Sequence, residues 1–210
     1  MNFDDLVARV VARAGEPGTS IVGIAGAPGA GKSTLAEALV PAAAAVLGAD
    51  AVAQIPMDGF HLADVALRGL GRLERKGAPD TFDAAGYAAL LRRVRQSHAV
   101  VYAPAFERDL EQPLAGALAI GPGVRVVITE GNYLLLQDPA WREVAAEIDE
   151  IWYVRVDEEL RLRRLVDRHI RFGKSPDAAR RWVRDVDEPN ARLIEAASSK
   201  ADLLIDTARL

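Results

Sequence analysis

Eight consecutive residues, Gly26-Ala27-Pro28-Gly29-Ala30-Gly31-Lys32-Ser33, match the pattern G-x-x-x-x-G-K-[S/T] in full. Glycines at these positions let successive main-chain N–H groups turn toward one anion, and a helix starting at Lys32 aims its positive end at the same point. The Lys32 ammonium suits the β- and γ-phosphates of ATP, the Ser33 hydroxyl suits Mg²⁺, and Thr34 stands next in line for a phosphate oxygen. A glycine-rich turn of no function is the bland alternative. The setting argues against it: the β-branched run Ser20 to Ala25 predicts a strand before the loop, and residues 32–40 predict a helix after it.

A phosphate loop serves many chemistries, so the remaining polar residues must narrow them. No lysine follows an asparagine, which removes the Asn-Lys-x-Asp guanine signature. The apolar run Val126-Val127-Ile128-Thr129 ends in Glu130-Gly131, where many ATPases place an aspartate. A carboxylate at the end of a core strand is costly to bury without compensation. Mg²⁺ would supply it at Glu130, and so would an arginine. Asp58 follows a predicted strand over 52–57. An ordinary aspartate is ionised at pH 7 and accepts a hydrogen bond from an attacking hydroxyl, though Asp58-Gly59 is also a plain turn signal.

The phosphate loop, Met57-Asp58-Gly59-Phe60-His61 and Val127-Ile128-Thr129-Glu130-Gly131-Asn132-Tyr133, in that order, resemble the uridine kinase, phosphoribulokinase and type I pantothenate kinase superfamily. The forms Asp-Gly-Phe-His and Glu-Gly-Asn-Tyr-Leu-Leu-Leu look most like its bacterial nucleoside-kinase-like, or fructose-transport-system kinase-like, subgroup. The resemblance runs from about residue 20 to the C-terminus. It implies a three-layer α/β P-loop NTPase fold with a central parallel sheet and a helical lid. It further implies transfer of the γ-phosphoryl group of Mg·ATP to a hydroxyl of a sugar, nucleoside or pantothenate-like metabolite, with Asp58 orienting that hydroxyl and Ser33 and Glu130 holding Mg²⁺. A nucleotide-binding regulator or slow NTPase with no small acceptor is the other reading.

Between Arg161 and Arg184 stand nine Lys or Arg residues against two acids, Asp167 and Asp177. Such a run is either a solvated helix face or a lid over ATP, as in the family it resembles, for which residues 157–184 are the segment. Arg164, Arg168 and Arg171 fall at steps of four and three and share one helix face; Arg168 and Arg171 are the candidates for neutralising charge on the transferring group. The pattern here, Asp167-Arg168 with Arg171-Phe172-Gly173-Lys174, departs from that of uridine kinases. Candidates for acceptor binding are His61, Lys76, Arg108, Asn132 and Tyr133. Lys76-Gly77-Ala78-Pro79 resembles a pantothenate kinase loop, and Arg108 lies where relatives carry substrate-loop residues. Asp83 reads as a helix N-cap. His98 and His169 belong to no constellation, the three tryptophans read as packing residues, and Ser198-Ser199-Lys200 occupies the place of a loop that often touches adenine.

The elements that position these groups alternate. Helices are predicted over 3–14, 84–96, 139–147, 158–171 and 177–198, and strands over 20–25, 52–57, 99–103, 124–129, 150–156 and 202–206. Strands alternating with helices predict a parallel sheet covered on both faces. Pro41 predicts a kink or restart after residue 40. Residues 62–82 and 104–122, rich in Gly and Pro, read as irregular substrate loops. At 210 residues, half of them apolar, the chain suits one domain, residues 1–210. The net charge of −4 argues against a nucleic-acid or membrane partner, and a homodimer stays open. No cysteine is present, which excludes disulfides and thiolate metal sites, and zinc is not expected from three scattered histidines. A cytoplasmic location is expected, with no signal segment at the acidic start Met1 to Asp5.

Overall fold

The computed structural model describes residues 1–207. Five parallel strands form its centre: β1 (Ser20–Ala25), β2 (Val52–Pro56), β5 (Val126–Gly131), β6 (Glu150–Arg155) and β7 (Leu203–Asp206), in the spatial order β2-β5-β1-β6-β7. Every residue of β1 and β5 is buried, as a parallel strand covered on both faces requires. Alternate residues of β1 feed two separate cores. Ile21 and Ala25 join one, with α4 (Ala84–Gln96), α5 (Pro139–Ala146) and α8 (Glu188–Ala196) above them. Val22 and Ile24 join the other, with α1 (Phe3–Arg13) and α2 (Lys32–Leu47). The result is a three-layer α/β fold with helices on both sides of a parallel sheet.

Strand order decides where the polar motifs meet. In β2 and β5, Pro56 pairs with Glu130; in β1 and β5, Ala25 pairs with Gly131. The residues that leave these three strands at their carboxyl ends, Gly26, Asp58 and Asn132, therefore emerge side by side. This edge of an α/β sheet is where ligands bind.

The structure corrects several predicted elements. The run at 99–103 does not enter the parallel sheet. It extends into β3 (Val101–Glu107), which pairs antiparallel with β4 (Gln112–Ile120) as a separate two-stranded hairpin. Most of the segment read as an irregular loop, 104–122, is thus paired strand. The register shifts between Ala103 and Ala105, which is how Pro104, with no N–H to give, fits into the ladder. The other irregular segment, 62–82, holds the short helix α3 (Asp64–Gly69) and two 3₁₀ turns. Helix α2 runs through Pro41 without a restart. The carbonyl deprived of its partner belongs to Glu37, and both residues face solvent, where water replaces the lost bond. Helix α6 (Glu158–Arg171) matches its prediction, whereas 177–198 is divided into α7 (Pro176–Trp182), a π-helical segment Val183–Asp187, and α8.

Candidate active site

The phosphate loop leaves β1 and closes at Gly31, whose φ of 95° is the left-handed conformation that glycine alone adopts without strain. Gly29 is constrained from outside as well, since a Cβ there would lie 2.9 Å from Leu165 Cγ and 3.0 Å from the Arg161 carbonyl oxygen. The loop thus rests directly on α6. Gly26 and Ala27 form its inner arm, Pro28 faces one cavity, and Gly29, Ala30, Gly31 and Thr34 line the other.

Two cavities meet here. A cleft of about 780 Å³ runs over the phosphate loop and the start of α2, with Arg164, Arg168 and Arg171 along its far side. A chamber of about 450 Å³ lies beyond it, walled by Asp58, His61, Lys76, Glu130 and Asn132. Four residues line both spaces: Lys32, Ser33, Arg108 and Arg168. Any group passed from cleft to chamber must cross at these four.

Lys32 is buried, and its ammonium donates to Asn132 Oδ1 at 2.7 Å and to the Ala27 carbonyl at 3.1 Å. Burial pulls its pKa down to about 8, against the raising pull of Glu130 and Asp58. Ser33 Oγ donates to Glu130 Oε1 at 3.1 Å. That serine, not an arginine, is the hydrogen-bond donor to the buried carboxylate. Burial and the nearby Asp58 charge raise the Glu130 pKa to about 7, with Lys32 and Ser33 opposing. Glu130 is therefore a carboxyl group whose negative charge its surroundings only partly offset.

Asp58 sits in a 3₁₀ turn, Met57–Phe60, just after β2. Burial would raise its pKa, but surrounding positive charge holds it below the ordinary carboxylate value. His61 is itself pushed down by burial and is neutral at pH 7, so Arg108 and Lys32 carry that stabilisation. Arg108 Nη2 lies 2.6 Å from Asp58 Oδ2. The arginine expected to be open to an acceptor anion is paired with the candidate catalytic acid. His61 is packed between Phe82 and Phe106, at 4.0 and 4.7 Å between ring centres, and its Nδ1 is 2.8 Å from the Asp58 carbonyl oxygen. Lys76 reaches the chamber but is held by Asp64 at 2.7 Å and by the Glu111 carbonyl.

Tyr133 does not face the chamber. In the bend that follows β5, Tyr133 is fully buried against Phe82 and Trp141 while Asn132 points at Lys32. Its hydroxyl donates to the Gly77 carbonyl, so it braces the loop after Lys76. His169 and Trp182, read from the sequence as unremarkable, belong to the far wall of the chamber with Lys174, Asp187 and Asn190. His169 Nε2 is 2.8 Å from Asp187 Oδ2, and the Lys174 ammonium lies 4.4 Å over the Trp182 ring. Asp187 closes the π-helical segment Val183–Asp187, a feature that hydrophobic periodicity does not reveal. Ser198–Lys200 forms a 3₁₀ turn and lines neither cavity.

A phosphate loop at the end of a parallel strand, a basic helix across the cleft and a carboxylate-walled chamber beyond define a nucleotide-binding P-loop kinase fold. No protein-family model matches the chain. A Schizosaccharomyces pombe protein provisionally named a uridine kinase is 31% identical over 217 residues, covering 100% of this chain and 92% of that protein. Uncharacterized protein YggC of Escherichia coli K12 is 31% identical over 187 residues, 89% of this chain and 77% of its own length. A crystal structure from Silicibacter sp. TM1040, provisionally named a fructose transport system kinase, superimposes with a TM-score of 0.89 at 40% identity, covering 98% of this chain and 99% of that one. The chain belongs to the uridine kinase-like family of P-loop kinases. Among the described residues, no helix is long and apolar enough to cross a membrane.

Proposed function

We propose that this protein transfers the γ-phosphoryl group of ATP to an alcohol hydroxyl of a small metabolite. The observation that carries this reading is the shared junction: the phosphate-loop Lys32 and Ser33 open into the same chamber as the Asp58 carboxylate. The chamber's volume lies in the range of metabolite sites. A regulator would have no use for an acid facing such a space, and a slow NTPase, which needs only to place a water, would have no use for a chamber of this size.

In this reading the loop amides and Lys32 hold the triphosphate. The acceptor hydroxyl enters the chamber and donates its hydrogen bond to Asp58, which stays ionised at pH 7. The acceptor oxygen bonds to the γ-phosphorus as the β–γ bridging P–O bond breaks. The hydroxyl proton passes to Asp58 and then to solvent, and ADP departs. Phosphoryl transfer proceeds through a loose transition state, so positioning and charge neutralisation outweigh base strength. Arg168, at the junction, and Arg171, in the cleft, are placed to meet charge on the equatorial oxygens. Residues 157–184 act as the lid in this scheme.

The donors also fit Mg²⁺. Glu130 is a buried carboxylate with a hydroxyl beside it, and among the described residues no cluster of three or more acidic, histidine or cysteine ligands exists. Such a sparse set is what Mg²⁺ uses when substrate phosphates complete its shell. Ser33 and Glu130 would hold it, and it would neutralise charge on the β- and γ-oxygens.

ATP consumption across a panel of sugars, nucleosides and hydroxy acids, with and without Mg²⁺, tests the reading. One or more acceptors should stimulate turnover in a Mg²⁺-dependent manner. Lys32→Ala should then lose about 10²–10³-fold in turnover, by analogy with deletion of one preorganised donor. Asp58→Asn should bind ATP and transfer poorly. Equal turnover with and without every acceptor would favour the slow NTPase.

A further inference from the structure

Of the four residues common to cleft and chamber, Arg108 is placed unlike the others. Lys32 and Ser33 belong to the phosphate loop, and Arg168 to the basic helix. Arg108 follows the last residue of β3, in the turn of a hairpin that lies outside the main sheet. Its side chain is 43% exposed and its guanidinium lies 5.1 Å over the Phe106 ring, a contact that a planar cation keeps while it slides. Lys32 is held by two neutral oxygens, whereas Arg108 is held by a carboxylate.

That carboxylate is Asp58, and the pairing bears on the role proposed for it. An ionised aspartate only accepts hydrogen bonds, through two oxygens, and here Oδ2 accepts an N–H of Arg108. A hydroxyl that approached Oδ2 would have to compete with a charge-assisted bond, which is about twice as strong as a neutral one. A triphosphate arriving in the cleft changes the balance. Its terminal group brings more negative charge than one carboxylate, and it would lie at the junction that Arg108 already lines from the cleft side.

We propose that Arg108 is a catalytic residue that changes partners, pairing with Asp58 in the nucleotide-free protein and with the γ-phosphoryl group once the triphosphate binds. The exchange frees Asp58 Oδ2 for the acceptor hydroxyl and places a second cation beside Lys32 at the transferring group. Nucleotide thereby readies the acceptor site, and an acceptor meets Asp58 with both carboxylate oxygens open when there is a phosphoryl group to receive. This inference rests on the kinase reading above and adds to it a residue and an order of events.

The test requires no knowledge of the acceptor. Calorimetric titration of the intact protein with AMP-PNP and with ADP, in magnesium buffer, compares wild type, Arg108→Ala, Asp58→Asn and the double variant. Arg108→Ala should weaken AMP-PNP by at least about tenfold, the scale of ordinary site-to-site coupling, and leave ADP nearly unchanged. Asp58→Asn should strengthen AMP-PNP, because Arg108 no longer has a rival partner, and most of that gain should vanish in the double variant. If Asp58→Asn acted only by removing a negative charge near the phosphates, its gain would persist undiminished without Arg108, and the exchange would be refuted. Equal weakening of ADP and AMP-PNP by Arg108→Ala would refute it too. In either case normal nucleotide binding by wild type leaves the kinase reading standing. Failure of wild type to bind either nucleotide would overturn both. Thermal unfolding of each variant checks that the fold is retained; Arg108 is a half-exposed turn residue whose loss leaves both cores intact.

Discussion

The Lys32 ammonium lies 2.7 Å from Asn132 Oδ1, so the lysine of the phosphate loop is anchored by a side chain one hundred positions away in sequence. The anchor is neutral. An amide oxygen orients the ammonium without neutralising it, and an incoming phosphate meets a cation that has no ion pair to break. The same asparagine arrives by way of β5, so the end of one strand holds the loop that leaves its neighbour.

Replacing that anchor by an acid tests the point. Asn132→Asp is nearly isosteric but would pair ionically with Lys32 and compete with phosphate. Nucleotide affinity should fall by at least about tenfold, the lower range expected for an interaction that couples two sites, and by less in Asn132→Ala. Titration with ADP and ATP at pH 7 measures it. An aspartate variant that binds as well as wild type would mean that the phosphates do not depend on Lys32.

Gly59 ties the turn carrying Asp58 to the hairpin carrying Arg108. A Cβ at Gly59 would lie 2.4 Å from the Pro104 carbonyl oxygen and 2.8 Å from its carbon, both main-chain atoms that cannot rotate away. Gly59→Ala must therefore push β3 off the turn. Forced overpacking of this kind costs about 1–3 kcal/mol, which for a chain of this size lowers the melting temperature by roughly 2–12 °C. Circular dichroism melts would show it, and an unchanged melt would mean the hairpin is not seated against the turn.

Glu150 gives the fold an acid-sensitive contact far from the site. Its side chain is 2% exposed and accepts from Trp152 Nε1 at 2.7 Å, from Arg13 Nη2 at 2.8 Å, and from Arg9. Burial raises its pKa, but these donors outweigh burial and hold it below the ordinary value of 4.5. A carboxyl group more acidic in the folded chain than in the unfolded one adds stability above about pH 4.5. That contribution falls away as pH drops through the depressed value. Glu150→Gln should cost about 1.5–3 kcal/mol at neutral pH, the range for hydrogen bonds to a charged group; both arginines are partly exposed, which favours the lower end. The difference between wild type and variant should shrink below about pH 4. Urea unfolding at pH 7 and pH 3.5 measures it, and a constant difference would exclude the carboxylate's charge as its source.

What the sequence determined alone is what depends on neighbours in the chain. The phosphate loop is eight consecutive residues whose conformation follows from its glycines, so it is readable wherever it stands. The buried strands at 20–25 and 124–129 and the helices at 84–96 and 158–171 are strongly patterned, and their apolar periodicity survives folding unchanged. Asp58, Glu130 and Asn132 could be named because each stands at or just past the end of a strand. Their meeting could not be derived, because it depends on β5 lying between β1 and β2.

The tertiary structure decided the rest. Pro104, Pro113 and Gly116 conceal the hairpin, since local propensity disfavours strand there and only pairing between β3 and β4 overrides it. Asn132 and Tyr133 are adjacent and polar, yet the bend after β5 sends one to the chamber and the other into the core. Arg108 and Asp58 are fifty residues apart, and Asp187 and His169 eighteen. A side chain's charge is written in its type, but its partner is set by which surfaces the folded chain brings into contact. That is why the phosphate loop and the chamber residues Asp58, Glu130 and Asn132 were legible beforehand, and the far wall with His169, Trp182 and Asp187 was not.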